Sequence, residues 1–293
     1  MKVLTIDIGG TFVKYGLFED NTLSCVDKFP YKRINDLATD IFAHVKETID
    51  LNSFDLIGVC SPGYVDENGV MRFAGNLYLK NYDVKSKLEK LFNKKVTVIN
   101  DANAAVIAEA KLGAATGIKN VLLLTLGTGV GGGVIMNGNL LLGNHNAGAE
   151  IGHVTLSVDG RKCTCGNKGC IEAYCSVTAL VNFAKEKGLD VNYGIDVSKL
   201  AKNGNEEAIE SLNEWKYYLK EAITSLINMF RPEIVLLAGG GSNEESLYDY
   251  LNDEVNLARF GGENSPEVRI SKAKFENEAG LLGAAIYASK ENK

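Results

Sequence analysis

The sequence predicts an α/β fold of two related lobes, with a ligand cleft between them. Three observations predict it. Strand and helix patterns alternate through the first half of the 293 residues. The second half opens as the first does, with an apolar strand, a glycine turn beside a hydroxyl residue and a returning strand. No proline-rich or low-complexity linker separates the halves, so the boundary is set near residue 118, giving 1–118 and 119–276.

The elements follow in order. Val3 to Ile8 is an apolar strand, Gly9-Gly10 a turn, and Phe12 to Phe18 the returning strand of a hairpin. Leu23 to Phe29 reads as a third strand. Leu37, Ile41, Val45 and Ile49 recur every four residues, which marks an amphipathic helix. Leu56 to Cys60 is a buried strand closed by Pro62-Gly63. Val84, Leu88 and Leu91 mark a helix, and Val96 to Ile99 a strand. Alanine-rich Ala102 to Leu112 is a helix stopped by Gly113. The second half gives strands over Val121 to Leu126, Val130 to Met136 and Ile234 to Ala238. It also gives a long helix over Glu206 to Phe230 and a last helix over Ala279 to Ser289.

Composition narrows the function. The formal net charge is −6, and no Lys/Arg run is longer than Lys94-Lys95, so nucleic acid and anionic membrane are excluded as expected partners. The N-terminal residues lack a signal-peptide pattern, and the apolar stretch from Val121 to Leu142 is broken by glycines. A cytoplasmic protein is expected. Of six cysteines, Cys25 and Cys60 stand alone on strands and are expected to be buried small hydrophobes. Cys163, Cys165, Cys170 and Cys175 fall within thirteen positions, which in a reducing compartment points to metal or redox chemistry, the redox reading being the weaker for want of a Cys-x-x-Cys.

Three turns are built to grip phosphate. In Asp7-Ile8-Gly9-Gly10-Thr11, glycines let backbone N–H groups approach phosphate oxygens and Thr11 adds a hydroxyl. Asp7 suits Mg²⁺ and its waters, and Lys14 offsets phosphate charge. A tight hairpin with Asp7 bonding its own turn explains this segment equally well. Gly127-Thr128-Gly129 repeats the device, and Gly239-Gly240-Gly241 ends a strand, where α/β folds place nucleotides. Neither the Walker nor the dinucleotide pattern is met.

Asn100-Asp101 follows a strand and opens a helix. Asp101 is either the helix N-cap or the base that takes a proton from an attacking hydroxyl, and both readings put it in the same place. Glu150 and His153 are three residues apart, which a helix would put on one face. Asn76, Asn100, Glu150, His153 and Glu172 are the side-chain types that bind sugar hydroxyls. Cys163-x-Cys165-x₄-Cys170 with His153 matches a closed structural zinc site. Cys175 as fourth ligand is the weaker reading, since it falls on a helix.

Together these segments resemble the ROK family (repressors, open reading frames and sugar kinases). The anchors are Asp7 to Thr11, Asn100 to Asn103, Leu126 to Gly133, Glu150-Ile151-Gly152-His153 and Cys163 to Glu172. The resemblance implies an actin-like, ribonuclease H-like two-lobed fold, often dimeric, whose C-terminal helix (about 277–293) returns to the first lobe. It implies ATP with Mg²⁺ and transfer to a sugar 6-hydroxyl, with Asp101 as base. Asn76, Asn100, Glu150, His153 and Glu172 match sugar contacts. His153, Cys163, Cys165 and Cys170 match zinc ligands, His153 using one ring nitrogen for each task. Where the family has Gly before the Glu of Glu-x-Gly-His, this chain has Ala149. Two other functions are weighed. A sugar-responsive repressor needs a DNA-binding segment ahead of Asp7, and only six residues precede it. A catalytically dead sugar-binding module is disfavoured by Asp101.

Overall fold

The structure, a computed structural model, describes residues 1–31 and 36–292, with the backbone alone at Asn76. The chain divides into two compact units. Met1–Thr116, Leu140–Ala149 and Asn277–Lys293 make the first, and Gly117–Asn139 and Glu150–Glu276 the second. The segment 140–149, which the sequence assigns to the second half, thus groups with the first.

The first unit holds strands β1 (Val3–Ile8), β2 (Phe12–Glu19), β3 (Thr22–Pro30) and helix α1 (Leu37–Thr48). Next come β4 (Leu56–Ser61) and a small sheet of β5 (Tyr64–Val65), β6 (Met71–Ala74) and β7 (Leu79–Tyr82). Helix α2 (Val84–Phe92), β8 (Val96–Asn100) and α3 (Asp101–Leu112) follow. Its main sheet has the order β3-β2-β1-β4-β8. β1 to β3 are antiparallel neighbours, whereas β4 and β8 run parallel to β1. β1 and β4 are near-continuous apolar runs because both faces are covered. Of the buried polar residues on these strands, Thr5 donates its hydroxyl to Leu281 O at 2.6 Å.

The second unit holds β9 (Val121–Leu126), β10 (Val130–Met136) and β11 (Asn139–Leu140), then α4 (Glu172–Cys175), α5 (Val177–Glu186), α6 (Gly194–Lys202) and α7 (Glu206–Phe230). β12 (Ile234–Ala238), α8 (Ser246–Ala258) and β13 (Arg269–Lys272) complete it. Its sheet order is β11-β10-β9-β12-β13, the same plan as the first: an opening hairpin on one side and parallel strands on the other. The repeat read from two glycine turns is therefore a repeat of whole sheets.

The last helix, α9 (Ala279–Glu291), lies in the first unit against α3, β1 and β4. Small residues permit this approach. A methyl group on Gly283 would collide with Ala104 O, and one on Gly58 with Ala284 O. The alanines of α3 are thus a packing face for α9, and this contact fixes the helix that begins with Asp101.

One expectation fails. Cys25 is exposed, not buried. Cys25, at φ 52° beside a register slip, lies on edge strand β3, whose residues from Ser24 to Lys28 are exposed on both faces. Cys60 is fully buried.

Candidate active site and metal centre

In the first unit, the candidate residues gather at the C-terminal ends of β1, β4 and β8, where α/β sheets present ligand sites. Register puts Asp7 beside Cys60 and Ser61 beside Asn100. Asp7 Oδ1 accepts from Cys60 Sγ at 3.4 Å, and Asp7 Oδ2 lies 3.8 Å from Lys14 Nζ. Burial raises the Asp7 carboxyl above the usual range, against the lowering effect of Lys14 and Cys60. Burial and the nearby carboxylates of Asp7 and Asp101 push the Cys60 thiol well up, so it stays a neutral donor. Lys14 also donates to Asn277 O at 3.1 Å. The Gly9 N–H closes the turn on Phe12 O at 2.9 Å, and Gly10 and Thr11 are exposed.

The N-cap of α3 is Asn100 and not Asp101. Asn100 is the N-cap: its Oδ1 accepts from Ala102 N at 2.9 Å and Asn103 N at 3.1 Å, and its Nδ2 donates to Gly63 O at 2.9 Å. Asp101 is the first residue of the helix, and its Oδ1 accepts from Ala102 N at 2.8 Å. The Asn76 backbone lies in a single turn of 3₁₀ helix, Gly75–Leu77, and its side chain lies outside the described structure.

In the second unit, two glycine turns meet. Gly127 N–H bonds Gly129 O at 3.0 Å between β9 and β10, and Thr128 is exposed. Gly239, after β12, has φ 79°, and a methyl on it would lie 2.7 Å from Leu126 O, at the mouth of the first turn. Gly240 opens on empty space, and Gly241 abuts Leu126 and Val177. The start of α5 closes on the same place: Val177 N donates to Gly127 O at 2.9 Å and Thr178 Oγ1 to Thr128 O at 2.8 Å. The Ser176 to Thr178 segment was not singled out from the sequence, because only the fold brings it to residue 127.

Glu150 and His153 bracket another 3₁₀ turn, with His153 N on Glu150 O at 3.0 Å, so the expected helical spacing is met by a single tight turn. Burial raises the Glu150 carboxyl, and His153 partly offsets this. Ala149 sits at φ 62°, a left-handed conformation that favours glycine.

The four residues expected to bind metal come together as a group that could hold an ion. One donor atom each from His153, Cys163, Cys165 and Cys170 lie within 4.8 Å of one another. A tetrahedral zinc with S bonds of about 2.3 Å and N bonds of about 2.05 Å requires S···S near ~3.8 Å and S···N near ~3.55 Å. The observed Cys165–Cys170 Sγ separation is 3.7 Å and Cys163 Sγ to His153 Nδ1 is 3.6 Å, so the cradle fits such an ion. Tight turns shape it: Cys163 N bonds Asn167 O at 2.8 Å and Gly166 N bonds Cys163 O at 3.1 Å. Cys175 is outside the cluster, fully buried on α4.

Glu172 joins the cysteine cluster to the Gly127–Gly129 turn. Its Oε1 accepts from Thr164 Oγ1 at 2.6 Å and Cys163 Sγ at 3.5 Å, while Oε2 accepts from Val130 N at 3.2 Å. A methyl on Gly129 would collide with Oε2. The sequence reading gave Glu172 a sugar contact and did not include this bridge, since Thr164 carries no motif of its own.

A family model described as the ROK family matches residues 3–291. A glucokinase of Thermotoga maritima is 33% identical, over 97% of this chain and 96% of that protein. The ROK hexokinase of Thermus thermophilus superposes with a TM-score of 0.88 at 31% identity, covering 100% of this chain and 99% of that one. A ROK family glucokinase from Streptomyces griseus, solved with glucose and AMPPNP, has a TM-score of 0.86 at 30% identity over 99% of this chain and 100% of that one. Such neighbours carry the actin-like ATPase fold, and the α/β class expected from the sequence is the class found.

Proposed function

The chain belongs to the ROK family, and on that premise we propose that it is an ATP-dependent sugar kinase acting on the 6-hydroxyl of a hexose, with glucose or N-acetylmannosamine as the preferred acceptor. The observation that carries this reading is the division of labour at α3. Asn100 caps the helix, so Asp101 is not needed as the cap and is assigned as the base.

Phosphoryl transfer asks mainly for positioning, charge neutralisation and one proton acceptor. A carboxylate oxygen of Asp101 takes the proton of the sugar hydroxyl as the hydroxyl oxygen bonds the γ-phosphorus and the bond from that phosphorus to the ADP oxygen breaks. Backbone N–H groups of the Gly9, Gly127 and Gly239 turns hold the phosphates. Asp7 is the carboxylate for Mg²⁺, an oxygen-seeking ion. A methyl on Gly280 would stand 3.1 Å from Asp7 Cγ, so the bare glycine leaves that carboxylate approachable. Bound Mg²⁺ supplies charge neutralisation on the phosphates. Asn76, Asn100, Glu150, His153 and Glu172 are assigned to the sugar hydroxyls, with His153 Nδ1 on the metal and Nε2 left for the sugar.

Zinc is the ion that the three thiols and imidazole suit, and with four protein ligands it has no place for a water and is structural. No helix among the described residues is long and apolar enough to cross a membrane. The family resemblance supports a cytoplasmic homodimer.

A coupled ADP-release assay over a panel of hexoses tests the proposal. Turnover with glucose or N-acetylmannosamine is expected. No ADP release with any hexose, from folded protein with MgATP, contradicts it.

A further inference from the structure

Two aromatic side chains flank the turn that carries Asn76, and the site described above assigns neither a task. Phe73 is 61% exposed and Tyr78 is 78% exposed, high values for such large rings. Phe73 lies on β6 and Tyr78 directly follows the turn Gly75–Leu77. The Phe73 ring lies against Gly75: a methyl there would be 3.5 Å from its Cζ. Tyr78 adopts φ 58°, a conformation that is rare and costly for a bulky residue and that recurs at functional sites.

Contacts within the first unit connect this pair to the proposed base. A methyl on Gly63 would collide with Phe73 O, so the Phe73 backbone is seated directly on Gly63. Gly63 O in turn accepts from Asn100 Nδ2 at 2.9 Å. Asn100 is the residue next to Asp101. The backbone of β6 at Phe73 thus adjoins the ends of β4 and β8 through Gly63. Small-molecule sites combine a few placed polar groups with aromatic lining. A pyranose presents both aspects: hydroxyls around its rim and an apolar C–H face.

We infer that Phe73, assisted by Tyr78, is an acceptor-affinity determinant that stacks on the C–H face of the sugar ring while Asn100 and Asp101 engage its hydroxyls. The inference rests on the sugar-kinase reading and adds the residues that take the apolar side of the acceptor.

Calorimetric titration of the full-length protein with glucose and with N-acetylmannosamine, without nucleotide, tests it. Phe73→Ala is expected to weaken sugar binding about 3- to 10-fold, the range of one aromatic contact, and Phe73→Tyr to restore it. Tyr78→Gly, which suits the left-handed backbone, is expected to weaken it in the same direction. KM for ATP stays at the wild-type value in all three. Unchanged sugar affinity in Phe73→Ala, or an equal loss of ATP affinity, overturns the inference. If the wild-type protein binds no hexose at all, the kinase reading beneath it falls instead. Because Phe73 is largely exposed, the variant folds, and its melting temperature verifies this.

Discussion

Asn100 Oδ1 accepts the Asn103 N–H at 3.1 Å, the side-chain-to-backbone bond that starts helix α3. With the Ala102 bond at 2.9 Å it satisfies two of the helix's unpaired donors. Asn100→Ala is expected to cost about 1 kcal/mol of stability, the usual worth of a cap. Chemical denaturation measures it. A loss near zero would mean that Asp101 takes over the cap.

Asp7 makes stability depend on pH. Its folded pKa is raised by burial above the ordinary 3.8. The sign follows from linkage: a raised carboxyl favours folding only while protonated, so its contribution is complete below about 3.8 and is lost as pH rises through the folded value. Asp7→Asn is therefore expected to raise the melting temperature at pH 7 in the absence of nucleotide, with the gain shrinking toward pH 3. The same change is expected to impair MgATP turnover. A variant less stable than wild type at pH 7 would mean that the Lys14 and Cys60 bonds outweigh burial.

The metal centre predicts about one zinc per chain in protein prepared without added metal, by elemental analysis. Cys165→Ser is expected to lose the ion and to lower the melting temperature. Activity should fall with it, because Glu172 ties Thr164, beside two of the thiols, to Val130 at the Gly129 turn. Metal-free protein that is fully folded and active would remove the structural role.

Ala149 tests a strained position. At φ 62° its methyl group costs about 1 kcal/mol relative to glycine, less the entropy that glycine loses on folding. Ala149→Gly is expected to be neutral or stabilising by up to ~1 kcal/mol, measured by thermal melting. Marked destabilisation would show that the methyl group has packing partners worth more than the strain.

The sequence was most legible where burial is two-sided. β1, β4, β9 and β12 are continuous apolar runs, and their ends fall within a residue of where the pattern stops. Helix α7 runs over the expected residues, with Asn205 as its N-cap and left-handed Arg231 at its end. The cluster of His153, Cys163, Cys165 and Cys170 was legible because three thiols and an imidazole at short spacing have few other uses. What stayed hidden depends on register and long-range approach. Asn and Asp are equally good caps, so only coordinates choose Asn100 over Asp101. Cys25 reads as buried because the sequence does not show that β3 is an edge strand exposed on both faces. The meeting of the Gly127 and Gly239 turns follows from β12 pairing with β9, across more than a hundred residues. The short strands β5 to β7 have too few residues to show a period.

The assignment of Asp101 as base is tested most directly by Asp101→Asn, measured for sugar binding and for turnover with MgATP. Sugar binding is expected to persist while kcat falls by at least about 10²-fold, the scale of general-base loss. Phosphorylation of the sugar at the wild-type rate would contradict the assignment.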